Sequence, residues 1–180
     1  MTDVFERVHE IDAQIEKRIE PHRSPALDAL FYRLSSAADH GLLWFALGAA
    51  RAARTRDAKV ALRVALVLGT ESALTNGLVK SLFNRVRPPD HFEHDGPLPY
   101  DMRRPITTSF PSGHAATAFT AATLLSHGTK LGPLYFSLAA LVASSRVYVR
   151  MHHTSDVVAG ALLGLCLGQV ARRLAPVRPS

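Results

Sequence analysis

The sequence predicts an all-α protein, a polytopic transmembrane helical bundle with an amphipathic helix at its N-terminus. Two observations predict it: five charge-poor apolar runs and no alternating pattern long enough for a sheet; the 47% hydrophobic against 20% charged residues in a chain of 180 exclude disorder. That length fits one domain and leaves no room for a second catalytic one. Mean hydropathy, +0.07, is ordinary for a globular protein, so the membrane reading rests on how the apolar residues are distributed.

Taken in order, Val4, Val8, Ile11, Ile15 and Ile19 recur every three or four residues among charges, the mark of an amphipathic helix over 3–20. Pro21 ends it, and Ser24 and Pro25 read as the cap and first residue of a second, short helix through Leu27, Leu30, Phe31 and Leu34. These two form an N-terminal unit, 1–37, before a core over 38–175. From Gly41 the chain turns apolar until the basic cluster Arg51, Arg54, Arg56 and Lys59; a second run covers 60–79, interrupted by Arg63 and Glu71. Further runs follow at 114–127, 132–144 and 157–171, all shorter than the ~20 residues of an unambiguous span. Trp44, Tyr135 and Tyr148 stand near segment ends, as interfacial aromatics do, which favours the membrane bundle. Between the second and third runs, residues 84–111 are rich in proline and charge, and a loop of that length in a small domain is usually functional.

The acidic start, Met1 to Glu6, with no apolar segment behind it, argues against a cleavable signal. Cys166, the single cysteine, excludes an internal disulfide framework and reads as a buried small hydrophobe. A net charge of +6 favours an anionic partner. Nucleic acid is disfavoured, because the cations sit at segment ends and not in a stripe with interleaved aromatics. His91, Glu93, His94 and Asp95 lack the rigid spacing of a metal site, and Arg103 and Arg104 suit either a head group or plain surface. Glu71 inside a span requires a partner such as Arg63 or a polar neighbour.

Unexpected polar residues gather at three segment ends: Lys80 with Arg85 and Arg87; Ser112, Gly113 and His114; and Arg146, His152 and Asp156. If consecutive helices alternate in direction, all three arrive at one face. Their inventory is an oxyanion cradle with acid–base groups, equipment for phosphoryl transfer without a metal or cofactor. Arg87 and Arg146 suit bidentate contact with phosphate, Lys80 adds a point charge, and Ser112 and Gly113 add donors at a helix N-terminus. Asp156 follows His152 by four residues and can orient its imidazole, which leaves the other nitrogen to attack phosphorus, with His114 as proton donor. His153 falls off this spacing and reads as a polar neighbour.

Lys80-x6-Arg87-Pro88, Pro111-Ser112-Gly113-His114 and Ser145-Arg146-x5-His152-x3-Asp156 together resemble the three-part signature of the type 2 phosphatidic acid phosphatase (PAP2) superfamily. The likeness extends over roughly 25–172. It implies a helical core with the signature at one membrane face and hydrolysis of a lipid phosphate through a phosphohistidine. By motif position His152 is the nucleophile, Asp156 its partner and His114 the acid; Lys80, Arg87, Ser112, Gly113 and Arg146 hold the phosphate. The implied partners are membrane lipids and a lipid phosphate such as phosphatidate, phosphatidylglycerophosphate or a polyprenyl (di)phosphate, and the implied location is the cell membrane. Alternatives are a soluble acid phosphatase or vanadate-dependent haloperoxidase of the same superfamily, disfavoured by size and apolar runs, and a non-enzymatic membrane scaffold, which would need none of His114, His152 and Asp156. Opposite the proposed site lie Arg51, Arg54, Arg56, Lys59, Lys130, Arg172 and Arg173, which by the positive-inside rule turns the site outward.

Overall fold

The computed structural model describes residues 2–89 and 107–174. Among them are seven α-helices: α1 (Thr2–Ile19), α2 (Pro25–Ala37), α3 (Leu42–Thr55), α4 (Ala58–Ser72), α5 (Gly113–Leu125), α6 (Gly132–Tyr148) and α7 (Thr154–Leu174). The five apolar runs are α3 to α7, and the described residues contain no strand. Helix starts follow local chemistry. Ser24 accepts the amide of Leu27 with Pro25 behind it, and Asp57 accepts that of Lys59. Past Ser72, α4 widens into a π-helical segment, Ala73–Val79, that carries it on to Lys80.

α5 is the axis of the bundle. It is apolar around its whole circumference, and residues from Ala115 to Leu125 are mostly buried, as such a helix must be. Ala118, Ala121, Ala122 and Leu125 pack with Trp44 of α3, Val64 and Leu68 of α4, and Tyr135, Ala139 and Val142 of α6. α7 lies against α5 through Gly160, Gly164 and Gly168, spaced four apart on one face. A Cβ at Gly160 or Gly164 would collide with the backbone carbonyls of Ser112 and Ala116, and one at Gly168 would come within 2.7 Å of Thr123. Thr120 adds a hydrogen bond to the Gly164 carbonyl at 3.0 Å. The backbones of α5 and α7 are therefore in direct contact, which fixes the separation of their N-termini.

Three expectations are corrected. Trp44, Tyr135 and Tyr148 are core residues, not an interfacial belt: each fills space between helices. Cys166 is exposed, because the glycine face of α7 turns inward and carries Cys166 out. On α1 the apolar stripe is split: Val8, Ile15 and Ile19 turn toward the bundle with Asp12, while Val4 and Ile11 are exposed beside Phe5. Glu71 finds polar neighbours in place of Arg63, accepting hydrogen bonds from Thr75 at 2.8 Å and Thr117 of α5 at 2.7 Å. His91, Glu93, His94, Asp95, Arg103 and Arg104 lie outside the described residues.

Candidate active site

The end of α4, the starts of α5 and α7 and the end of α6 meet at one end of the bundle. Lys80, where the π segment closes, is buried there, with Arg87, Arg146 and Asp156 in its electrostatic surroundings. The same π segment brings Asn76 against α5. A Cβ on Gly113 would stand 2.7 Å from the Asn76 carboxamide oxygen, so a side chain there would make Asn76 move.

Beyond α4 the chain is irregular, and the two described ends of the long loop pair with each other. Ser109 donates its amide to the Arg85 carbonyl at 2.9 Å, and Arg85 donates its own to the Thr108 hydroxyl at 2.8 Å. This pairing supports Arg87. Its guanidinium donates to the carbonyl of Met151 at 2.6 Å and to those of Thr107 and Thr108 at 3.2 Å.

Ser112 caps α5 by accepting the Ala115 amide at 3.5 Å, and its own amide donates to the Asp156 carbonyl at 3.0 Å. That bond ties the second motif to the third. His114 follows in the first turn of α5, and its Nε2 lies 2.8 Å from the Asp39 carboxylate in the turn between α2 and α3. At the end of α6, Arg146 is buried and donates to the Ser35 hydroxyl of α2, and its Nε has no hydrogen-bond partner among the described residues. A buried cation left partly unpaired suits an anion.

The chain then turns through Arg150, in the left-handed region at φ 52°, and delivers His152 to the site. His152 Nδ1 is 2.7 Å from the Ser109 carbonyl, while Nε2 is 3.3 Å from an Arg87 nitrogen. A carbonyl only accepts and a guanidinium only donates, so the ring carries its proton on Nδ1 and its lone pair on Nε2. Burial, ahead of the opposing Asp156 carboxylate and with the charges of Arg146 and Arg87, pushes His152 down to about 3. The imidazole is therefore neutral over the ordinary pH range.

Asp156 lies 3.8 Å from His152 Nδ1, beyond hydrogen-bonding distance, because its oxygens are engaged elsewhere. Oδ2 accepts the His153 amide at 2.9 Å, and Oδ1 accepts Arg85 at 2.6 Å. The expected His152–Asp156 hydrogen bond is thus replaced by a close charge, with the Ser109 carbonyl taking the proton. Arg85 also reaches Asp12 of α1 at 2.8 Å, and Asp12 accepts both the amide and the hydroxyl of Ser155, at 2.9 and 2.6 Å. His153 joins this docking, 2.9 Å from Glu16.

The eight residues given roles by motif position, and Arg85 grouped with them, lie together at this end. Sequence reasoning did not single out Ser109, Asp39 or Asp12. A backbone carbonyl leaves no trace in a sequence, and Asp39 and Asp12 are isolated acids far from the motifs they serve. The apolar cavity between α4 and α7, about 280 Å³ and lined by Leu66, Leu74, Leu167 and Leu174 among others, is not this site; it reaches the C-terminal end of α7.

The family model of the PAP2 superfamily matches residues 60–179 of the chain. Decaprenylphosphoryl-5-phosphoribose phosphatase of Mycobacterium tuberculosis is 32% identical over 152 residues, 81% of this chain and 79% of its own. Lipid A 1-phosphatase of Porphyromonas gingivalis is 36% identical over 107 residues, 54% of this chain but 21% of that protein. Among solved structures, a transmembrane PAP2 type phosphatidylglycerolphosphate phosphatase from Bacillus subtilis superposes with a TM-score of 0.73 at 25% identity, covering 93% of this chain and 86% of that one. Aquifex aeolicus LpxE superposes at 0.70 with 33% identity, over 89% and 94%.

Proposed function

From the premise that this chain belongs to the PAP2 superfamily, we propose that it is an integral membrane lipid phosphatase. It removes a phosphate from an amphiphile through a phosphohistidine intermediate. The observation that carries this reading is His152, a buried, neutral imidazole with its Nε2 lone pair beside the Arg87 guanidinium. A phosphoryl group drawn in by Lys80, Arg87 and Arg146 has that lone pair beside it. Phosphate oxygens can replace some of the carbonyls that Arg87 now contacts, with Ser112 and Gly113 at the α5 N-terminus adding to the cradle.

In the first step Nε2 bonds to phosphorus and the P–O bond to the lipid alcohol breaks, with His114 protonating the departing oxygen. In the second, water attacks the phosphohistidine, His114 takes its proton, and inorganic phosphate leaves with His152 restored. Asp156 balances the charge that develops on the imidazole. The cations supply the electrophilic help, so the reaction as read here calls for no metal or cofactor.

A multi-pass arrangement in the cell membrane is supported by the outer faces of the bundle. Leu62, Leu66, Leu78 and Leu82 are exposed on and just past the α4 rod, Leu134 and Leu141 on α6, and Val158, Leu162 and Val170 on α7. α7 is long and apolar enough by itself to cross a membrane. α4 and its π extension, 15 and 7 residues, together rise about 30 Å, the thickness of a hydrocarbon core. The named relatives act on quite different lipids, so the substrate is sought among lipid phosphates as a class.

The test is phosphate release by the detergent-purified protein, with EDTA present, from phosphatidate, phosphatidylglycerophosphate, a polyprenyl phosphate, a polyprenyl diphosphate and an aryl phosphate. His152→Ala lowers turnover of the accepted lipid by roughly 10³-fold or more. Lipid turnover that survives this substitution would falsify the histidine mechanism.

A further inference from the structure

His114 has a partner that lies outside the residues matched to the family, 60–179. Asp39 opens the one-turn 3-10 segment Asp39–Gly41 between α2 and α3, in which His40 and Gly41 both take left-handed backbone, at φ 52° and 75°. This tight reversal, packed against α5, holds a carboxylate oxygen 2.8 Å from His114 Nε2. A carboxylate can only accept, so Nε2 carries a proton and Nδ1 remains for exchange with substrate and water.

Among the charges near His114 are the cations Arg146 and Lys80. Asp39 is the acid that opposes them. Burial alone would raise its carboxyl, but the hydrogen bond to His114 and then the charges of His114, Arg146 and His40 hold it below its ordinary value. It is therefore ionised at neutral pH.

We infer that Asp39 is a positioning residue for the proton donor: it fixes His114 with Nε2–H turned away from the reaction, and it sustains the imidazolium whose Nδ1–H protonates the leaving alcohol. Once that proton has gone, Nδ1 is the base that takes a proton from water, while the Nε2–H bond to Asp39 stays in place. The inference rests on the reading of His114 as general acid in the proposed function.

The test compares the full-length detergent-solubilised protein with Asp39→Asn, Asp39→Glu and His114→Ala on two substrates. One is a long-chain alkyl phosphate, whose alcohol needs a proton to leave; the other is a nitrophenyl phosphate, whose phenolate does not. The readout is kcat/KM, which reports the chemistry up to departure of the leaving group. A positioning role predicts that Asp39→Asn lowers the alkyl value by roughly tenfold or more beyond its effect on the nitrophenyl value, within the range of general acid catalysis. His114→Ala shows the same selectivity more strongly, and Asp39→Glu recovers part of the alkyl activity. An equal loss on both substrates for Asp39→Asn, as a purely structural defect would give, or no loss on either, overturns the inference while leaving His114 in place. If His114→Ala itself is unselective, the reading of His114 as acid fails, and the inference with it.

Discussion

His152 carries its proton on Nδ1 because the Ser109 carbonyl, 2.7 Å away, can only accept it. With His152 as the proposed nucleophile, this arrangement links catalysis to acid sensitivity. In the unfolded chain a histidine titrates near ~6.5; in the folded protein burial, with Arg146 and Arg87 nearby, pushes His152 down to about 3. Between those values the unfolded chain binds a proton that the folded one refuses, so stability is lost as pH falls from about 6.5 toward about 3. The expected outcome is a melting temperature in detergent that declines below pH about 6.5, with a shallower decline in His152→Gln, whose side chain does not titrate. An unchanged slope in that variant would show that His152 is protonated or solvated in the folded state. The spacing of the signature made His152 legible in the sequence; its acceptor was not, because the carbonyl of Ser109 becomes relevant only once the loop ends have paired.

α1 is the element whose role the sequence conveyed least. Its three- and four-residue apolar spacing marks a helix, yet the inward face includes an acid, Asp12, only 2% exposed. Asp12 receives the first turn of α7 through Ser155 and holds Arg85, which in turn holds Asp156, so α1 braces the third motif from outside. Asp12→Ala is expected to destabilise the fold by roughly 3 kcal/mol, the scale of breaking a buried ion pair. It should also lower kcat more than it raises KM, since Asp12 lies behind Asp156 and not in the phosphate cradle. Thermal melting and steady-state kinetics together check this, and a KM defect alone would place α1 at the substrate. Other elements were easier to read. Ser24, Asp57 and Ser112 cap their helices by bonds two or three residues long, and such local chemistry is written in the sequence itself. Arg51 shows the opposite case. It reads as one of a basic cluster, but its guanidinium is spent on the Leu125 and His127 carbonyls at the end of α5.

For the whole molecule, the two ends of the bundle differ in charge chemistry. One gathers the cations of the proposed site, Lys80, Arg87 and Arg146; the other carries Arg54, Arg56, Lys59, Lys130, Arg172 and Arg173, with Arg172 beside His127 at 3.1 Å. The positive-inside rule then predicts that the second end faces the cytoplasm. With Cys166 replaced by Ala, Arg173→Cys should react with a membrane-impermeant maleimide in inside-out vesicles and stay protected in right-side-out ones. The reverse pattern would turn the active site inward. The helical class and the convergence of the three motifs were legible because apolar runs and alternating directions constrain a bundle strongly. Which aromatics are buried was not, since Trp44 and Tyr148 at segment ends look alike whether they meet lipid or another helix.

The glycine face of α7 has a consequence for life in a fluid solvent. Ser112 opens α5 and Asp156 lies in the first turn of α7, and the gap between them is set by main chain resting on main chain at Gly160 and Gly164. At Gly160 and Gly164 α7 has no side chain to change rotamer, and the backbone contact there leaves no gap for an acyl chain. For the membrane phosphatase proposed above, bilayer thickness and viscosity should therefore govern how often a substrate drifts into reach, while the bond-breaking event, once the phosphate is seated, keeps the same rate from one lipid mixture to the next.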